Sequence, residues 1–353
     1  MNDKTPRPLE ASLAARLKAL AALGVLAFVV GLRLWPERAW ADLLVANVLL
    51  TTLSLGAVVF VASQHLSAAT WSVALRRVFE AMFSYLPLGA LLSAALLLGA
   101  RFLYPWAGPG GAALSKGGYL TVLGLGARAA FCWASWLVLS RRLAARADRA
   151  SSAVFLLAFA PTFTLFSVDW LMSLEPRWTS TLYAWYVFAG AFSGGLAAAT
   201  ALLLWVRRRG ALGAVNEHHL HDLGKCVFAF SCFWAYLWFS QGLLIWYSNL
   251  PEETSYYVHR MTGGWAVLFW LNPVLNFVVP FTLLLSARAK KSRQVLFAAC
   301  VVVLAGRWLD LYVLVMPGIA GASAQFAVAD LAICAGLSAA ALLLFDRAFR
   351  HGV

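Results

Sequence analysis

Residues 224–257, GKCVFAFSCFWAYLWFSQGLLIWYSNLPEETSYY, decide how this chain is read. The stretch opens on a lysine, continues through more apolar and aromatic residues than a bilayer core requires, and closes on a polar segment with two adjacent glutamates. A helix rises about 1.5 Å per residue, so about 20 apolar residues cross a hydrocarbon core of about 30 Å. The reading is a membrane span that delivers an acidic loop, Glu252 and Glu253, to one surface. Trp234, Tyr236, Trp238, Trp246 and Tyr247 crowd its far half. That is more aromatic surface than an interfacial belt calls for, and it would equally line a flat apolar ligand site.

The composition extends this reading to the whole chain. Apolar residues make up 62% of the 353 and charged residues 12%, about half the usual soluble share. The five cysteines all fall inside apolar runs with no CxxC, which signals neither an iron–sulfur cluster nor a structural zinc site. The net charge of +13 is expected from basic loops on one side of a membrane rather than from nucleic-acid binding. The histidines sit in loops or at span ends, where they cannot provide the facing ligands of a transmembrane haem. No glycine-rich segment follows a strand as a phosphate loop would.

Spans are expected at about 17–35, 43–63, 83–104, 118–140, 153–173, 180–206, 223–247, 264–286, 293–316 and 325–345. Ala39-Trp40-Ala41 resembles a cleavage site, but the first span is read as a retained helix. Ten spans place both termini on one side. Most of the 28 lysines and arginines fall on that side; Arg33, Arg38, Arg101, Lys116, Arg177 and Arg260 fall on the other. The bias predicts cytoplasmic termini and an outward-facing acidic loop. Spans two to five and six to nine also form a faint repeat, in which Asp169 and Asp310 each precede a proline, Pro176 and Pro317, by seven residues. The expected fold is therefore all-α and integral to the membrane, with two parallel four-helix bundles flanked by the first and last helices. Its divisions are a tail at 1–16, a first helix and outer loop at 17–42, bundles at 43–173 and 174–316, and a last helix with a short C-terminus at 317–353.

Ionisable groups inside a membrane cost about 2.5–3.5 kcal/mol on insertion scales and normally face a bundle interior or water. Arg128, Asp169, Arg307 and Asp310 are the candidates. Arg307 and Asp310 share a helix face three residues apart, either as a structural pair or as part of a proton relay or ligand wall. Asp169 could exchange protons, cap its helix end or pair with Arg177. Glu252 and His259, in outer loops, are solvated charges, a proton exit or a docking surface. His218, His219 and His221 are read as surface residues of an inner loop.

The run at residues 223–254 resembles the membrane subunits of alternative complex III, the bacterial quinol:cytochrome c oxidoreductases whose membrane subunits are of the NrfD/polysulfide-reductase type. It is most similar to the ActF-type subunit. Asp169-Trp170-Leu171-Met172-Ser173-Leu174-Glu175-Pro176 and Gly306-Arg307-Trp308-Leu309-Asp310-Leu311-Tyr312 carry the same resemblance. It implies an assembly with a related quinol-binding membrane subunit and with periplasmic iron–sulfur and multihaem cytochrome c subunits, which hold the haem c and the clusters. It implies no redox cofactor in this chain, a proton path through Asp169, Arg307, Asp310 and Arg128, and an open question of quinone or menaquinone binding. Membrane lipids are the remaining expected partner. A purely structural anchor and an independent secondary transporter are the competing readings; for the transporter, the spans lack obvious paired helix breaks.

Overall fold

The computed structural model describes residues 9–114, 116, 118–320 and 328–351. Lys4 and Arg7 of the basic tail, Gly117 and the first residues expected in the tenth span lie outside these. Among the described residues, ten helices are long and apolar enough to cross a membrane. They are α1 (Ala11–Leu34), α2 (Pro36–Leu66), α3 (Arg76–Leu103), α4 (Val122–Arg146), α5 (Arg149–Trp170), α6 (Tyr183–Arg208), α7 (Glu217–Ser248), α9 (Trp265–Leu283), α10 (Arg293–Val315) and α11 (Val328–His351). An eleventh, shorter helix, α8 (Pro251–Met261), joins α7 to α9. The chain is an all-helical, multi-pass membrane protein.

α2 and α6 form the centre. They approach so closely that a Cβ on Gly56 would lie 3.3 Å from the Gly195 Cα, a packing that only small residues permit. α2, α3, α4 and α5 close one ring of neighbours, and α6, α7, α9 and α10 close another. α5 and α10 also touch both central helices or their partners across the join, α5 on α6 and α10 on α2. α1 and α11 pack on each other through Gly24 and Gly336 and lie together against α2.

Several boundaries depart from the expected ones for local reasons. α2 begins at Pro36, directly after α1, because proline at the first helical position needs no N–H partner. The expected polar loop after α7 is a helix: Asn249 ends α7 in a left-handed turn (φ 49°), Pro251 opens α8, and Glu252 and Glu253 occupy its positively polarised first turn. His218, His219 and His221 belong to the first turns of α7. The Asn216 side chain accepts from the His219 N–H, and the His219 ring accepts from the Asn216 N–H.

Two spans are interrupted. α3 tightens into 3-10 turns at Met82–Tyr85 and Leu97–Gly99. α9 widens into a π turn at Val274–Val278, between Pro273 and Pro280, each of which lacks an N–H for the helical ladder. The Asn276 side chain donates to the Asn272 carbonyl at 3.0 Å within that turn.

Candidate functional site

The clusters around Asp310 and Asp169 lie toward the end of the molecule that carries α8. At the other, arginine-rich end, Arg77 donates to the Phe349 carbonyl and Arg209 pairs with Asp346.

The densest polar cluster surrounds Asp310, which is 4% exposed. Three helices supply its partners. Tyr186 of α6 donates its hydroxyl to Oδ1, Asn272 of α9 donates to the same oxygen at 2.7 Å, and Arg307, one turn earlier on α10, donates to Oδ2 at 3.2 Å. Arg307 spends its Nε on Asn276 (2.6 Å) and lays its guanidinium 4.4 Å from the centre of the Trp234 ring. Its Nη2 is buried with no hydrogen-bond partner. The guanidinium fits only because Gly190 of α6 has no side chain; a Cβ there would collide with Nη1. Gly190 and Gly194 form a small-xxx-small spacing and together make the seat for the arginine, while the adjacent Gly195 meets Gly56 of α2.

Small cavities lie on either side of Asp310, each of about 20 Å³ and wide enough for one water. The first, on the α8 side, is lined by Tyr186, Gln241, Tyr256, Arg260 and Asn272 among others. In it the Gln241 carbonyl and the Tyr256 hydroxyl are buried without partners. The second lies against Thr52 and Leu53 of α2. Trp238, Tyr257 and Phe269 separate the first cavity from a larger groove of about 630 Å³, which is bordered also by Trp246, Val258 and Trp270. Burial pushes the Tyr257 phenol up to about 12. Burial likewise raises Tyr256. Both hydroxyls therefore stay protonated at neutral pH.

Arg260, counted as an outer-loop charge in the sequence, is 1% exposed. α8 folds back so that this side chain reaches the end of α10. There it donates to the Val313 and Leu314 carbonyls (3.1 and 3.0 Å) and pairs with Glu175 at 2.6 Å. Those carbonyls are among the last four of α10 and lack helical partners, so the guanidinium caps the helix and matches its dipole. Burial opposes its charge, but Tyr256 and Glu175 outweigh that and hold its pKa above the ordinary arginine value. Glu175 and His259 line an open crevice of about 710 Å³. The Arg260–Glu175 pair thus stands between that crevice and the cavity beside Asp310.

Asp169 has a different setting. Arg128, one helix away on α4, grips both carboxylate oxygens (2.6 and 3.1 Å), and the Tyr119 hydroxyl donates at 3.1 Å. Arg177, the partner considered from the sequence, lines the crevice instead. The structure therefore brings Arg307 and Asp310 together and, separately, Arg128 and Asp169. Glu252 is exposed on α8, and His259 is an exposed residue at the crevice; both belong to a helix rather than to a loop.

A third charged cluster was not anticipated. Arg38 of α2 donates to both oxygens of Asp330 on α11 (2.8 and 2.6 Å), and the Tyr312 hydroxyl donates to Asp330 at 2.9 Å. It ties α11 to α2 and α10. Asn272 and Asn276, four apart in an apolar span, and Gln241 are polar groups of the kind that mark membrane sites; that spacing was the available signal.

No protein-family model matches the chain, and comparison with curated proteins finds no match.

Proposed function

We propose that the chain is a membrane subunit of a quinol-oxidising, cytochrome c-reducing complex of the alternative complex III type, and that it handles protons at its outer end. The supporting observation is the Asp310 cluster. It is a carboxylate held by one arginine contact and by neutral hydroxyl and amide donors, with water-sized cavities beside it and an apolar aromatic groove within two side chains of it. Such a carboxylate can accept a proton without re-orienting its neutral donors, because Tyr186 and Asn272 both donate to Oδ1 and can remain in place as it neutralises. Protons leave through the crevice, past Arg260 and Glu175. On this reading the chain binds lipids and partner subunits, the haem c and iron–sulfur centres belong to those partners, and the groove admits the ring of a quinone or menaquinone. The membrane is the bacterial inner membrane, with both termini cytoplasmic.

One observation favours a second reading, an independent transporter. The π turn of α9 places a break in a span directly beside a buried charge, as transporter sites do. Mild purification of the tagged chain from its native membrane separates the two. The respiratory reading expects c-type haem absorption and co-eluting iron–sulfur and membrane subunits. A colourless chain that elutes alone and moves a solute in liposomes overturns it.

A further inference from the structure

At the arginine-rich end, α4 and α11 both pack on α3, and a crevice of about 670 Å³ opens between them. Its walls are apolar, with Phe83, Leu86, Leu137 and Leu344 facing in, and its rim carries Arg141 and Arg347. Both arginines are exposed, and neither has a hydrogen bond or ion pair among the described residues. The nearby acids are already matched. Glu80, which also lines the crevice, is held by Arg76 at 2.6 Å, and Asp346 is held by both Arg209 and Arg350 (2.6 and 2.8 Å). The crevice is therefore an apolar slot with two unspent guanidiniums at its mouth.

The general tendency of membrane proteins to carry arginine on one side accounts for basic residues at this end. It does not account for two of them standing unpaired at the mouth of a slot whose acids have all been neutralised from elsewhere. A guanidinium is planar and presents a fork of donors that matches phosphate oxygens. An acyl chain fills an apolar cleft between helices. From this juxtaposition we infer that the crevice is a binding site for an anionic phospholipid, with its phosphodiester between Arg141 and Arg347 and an acyl chain along Leu137 and Leu344. Each basic side chain near an anionic lipid surface adds a factor of about five in affinity, so the pair gives a preference of about thirtyfold for an anionic over a zwitterionic headgroup. The preference weakens as salt rises, because the rim is exposed.

The experiment uses the full chain, delipidated in mild detergent and titrated with phosphatidylglycerol or phosphatidylcholine of the same acyl composition, with bound lipid counted by native mass spectrometry. The expected result is retention of phosphatidylglycerol with about thirtyfold preference, and loss of that preference in the Arg141→Gln/Arg347→Gln variant. Both arginines are exposed, so the variant is expected to fold; a Leu137→Trp variant narrows the slot and lowers retention of lipid while leaving the charges in place. Equal retention of the two lipids by the wild-type chain overturns the inference, as does an undiminished preference in the double variant. Displacement of the lipid by millimolar inorganic phosphate, with no effect of Leu137→Trp, also overturns it by assigning the arginines to free phosphate.

Discussion

Asp169 and Asp310 occupy equivalent places in the chain, each seven residues before a proline near the end of a span, yet the structure treats them in opposite ways. Asp169 receives its arginine from a neighbouring helix. Arg128 can therefore approach side-on, through Nε and Nη2, and take both oxygens, and the Tyr119 ring lies 3.9 Å beneath the guanidinium. The result is a closed, neutral pair, and neither residue lines any of the cavities described above. Asp310 receives its arginine from its own helix, three residues back. That geometry permits one contact, at 3.2 Å, and leaves the second oxygen to Tyr186 and Asn272 and one guanidinium nitrogen without a partner. Where the counter-ion comes from decides whether a buried carboxylate is sealed or still has room to exchange. On the proposed function, Asp169 is then a structural tie between α4 and α5, and Asp310 the group that handles protons.

The largest expected effect tests that asymmetry through stability. Asp310→Leu strands Arg307, 4% exposed, without a counter-ion. A guanidinium cannot shed its charge, so the loss is about 3–5 kcal/mol, a large part of a typical domain's stability. Arg128→Leu strands Asp169 instead. A carboxylic acid can neutralise itself by taking up a proton, and Tyr119 remains beside it, so the loss is about 1–3 kcal/mol. Thermal melts of the purified protein should rank the variants in that order. The double variant Asp310→Leu/Arg307→Leu should recover most of the stability, because an apolar replacement of a buried pair is often neutral, while turnover stays lost. Recovery of turnover in the double variant would make the Asp310 pair as structural as the Asp169 pair.

A smaller effect distinguishes the sites by rate. Asp310→Asn keeps the hydrogen-bonding shape but cannot carry a proton, and should lower quinol-linked turnover by about 10²-fold or more, on the usual scale for a positioned proton-transfer group. Asp169→Asn should assemble with a lowered melting temperature and near-normal turnover. If the two variants are equally impaired, the contrast fails. Glu175→Gln comes next. It removes the charge facing Arg260, which retains three backbone carbonyls, so the stability loss is about 1–2 kcal/mol. Turnover should fall with it, because the variant changes the group between the crevice and the cavity.

The parts of this contrast that could be read from the sequence are those set by short spacing. Arg307 and Asp310 pair because three residues bring them to one helix face, and the ten spans follow from runs of apolar residues long enough to cross a bilayer. The parts that could not be read depend on which helices become neighbours. Arg128 and Asp169 stand 41 residues apart in sequence and Arg38 and Asp330 292 apart, and no periodicity encodes either pairing. From the sequence Arg260 counts among surface charges, because the segment after Pro251 reads as a loop; as a helix returning over the end of α10, that segment turns Arg260 inward while Val258, His259 and Met261 stay exposed. Tyr186 gave no signal at all, since an aromatic in a span is usually packing.

The two tyrosines give the finest form of the comparison. Tyr186→Phe removes a donor from Asp310 in a fully buried site, where a hydrogen bond to a charged group contributes about 1.5–3 kcal/mol. Tyr119→Phe removes an exposed donor from the buried Asp169, where Arg128 already satisfies both oxygens, and the loss should stay under about 1 kcal/mol. Tyr119 also carries a signature of its own. Burial and the Asp169 carboxylate raise its pKa above the ordinary tyrosine value. The folded state therefore holds this proton more tightly than the unfolded chain does. Its contribution is complete below about pH 10, where tyrosine is protonated in both states, and is lost as pH rises past that value toward the folded pKa. Melting temperatures measured from pH 8 to 11 should converge for wild type and Tyr119→Phe at the alkaline end. A gap that stays constant over that range would mean that the hydroxyl contributes nothing specific to the Asp169 pair, and that Arg128 alone seals it.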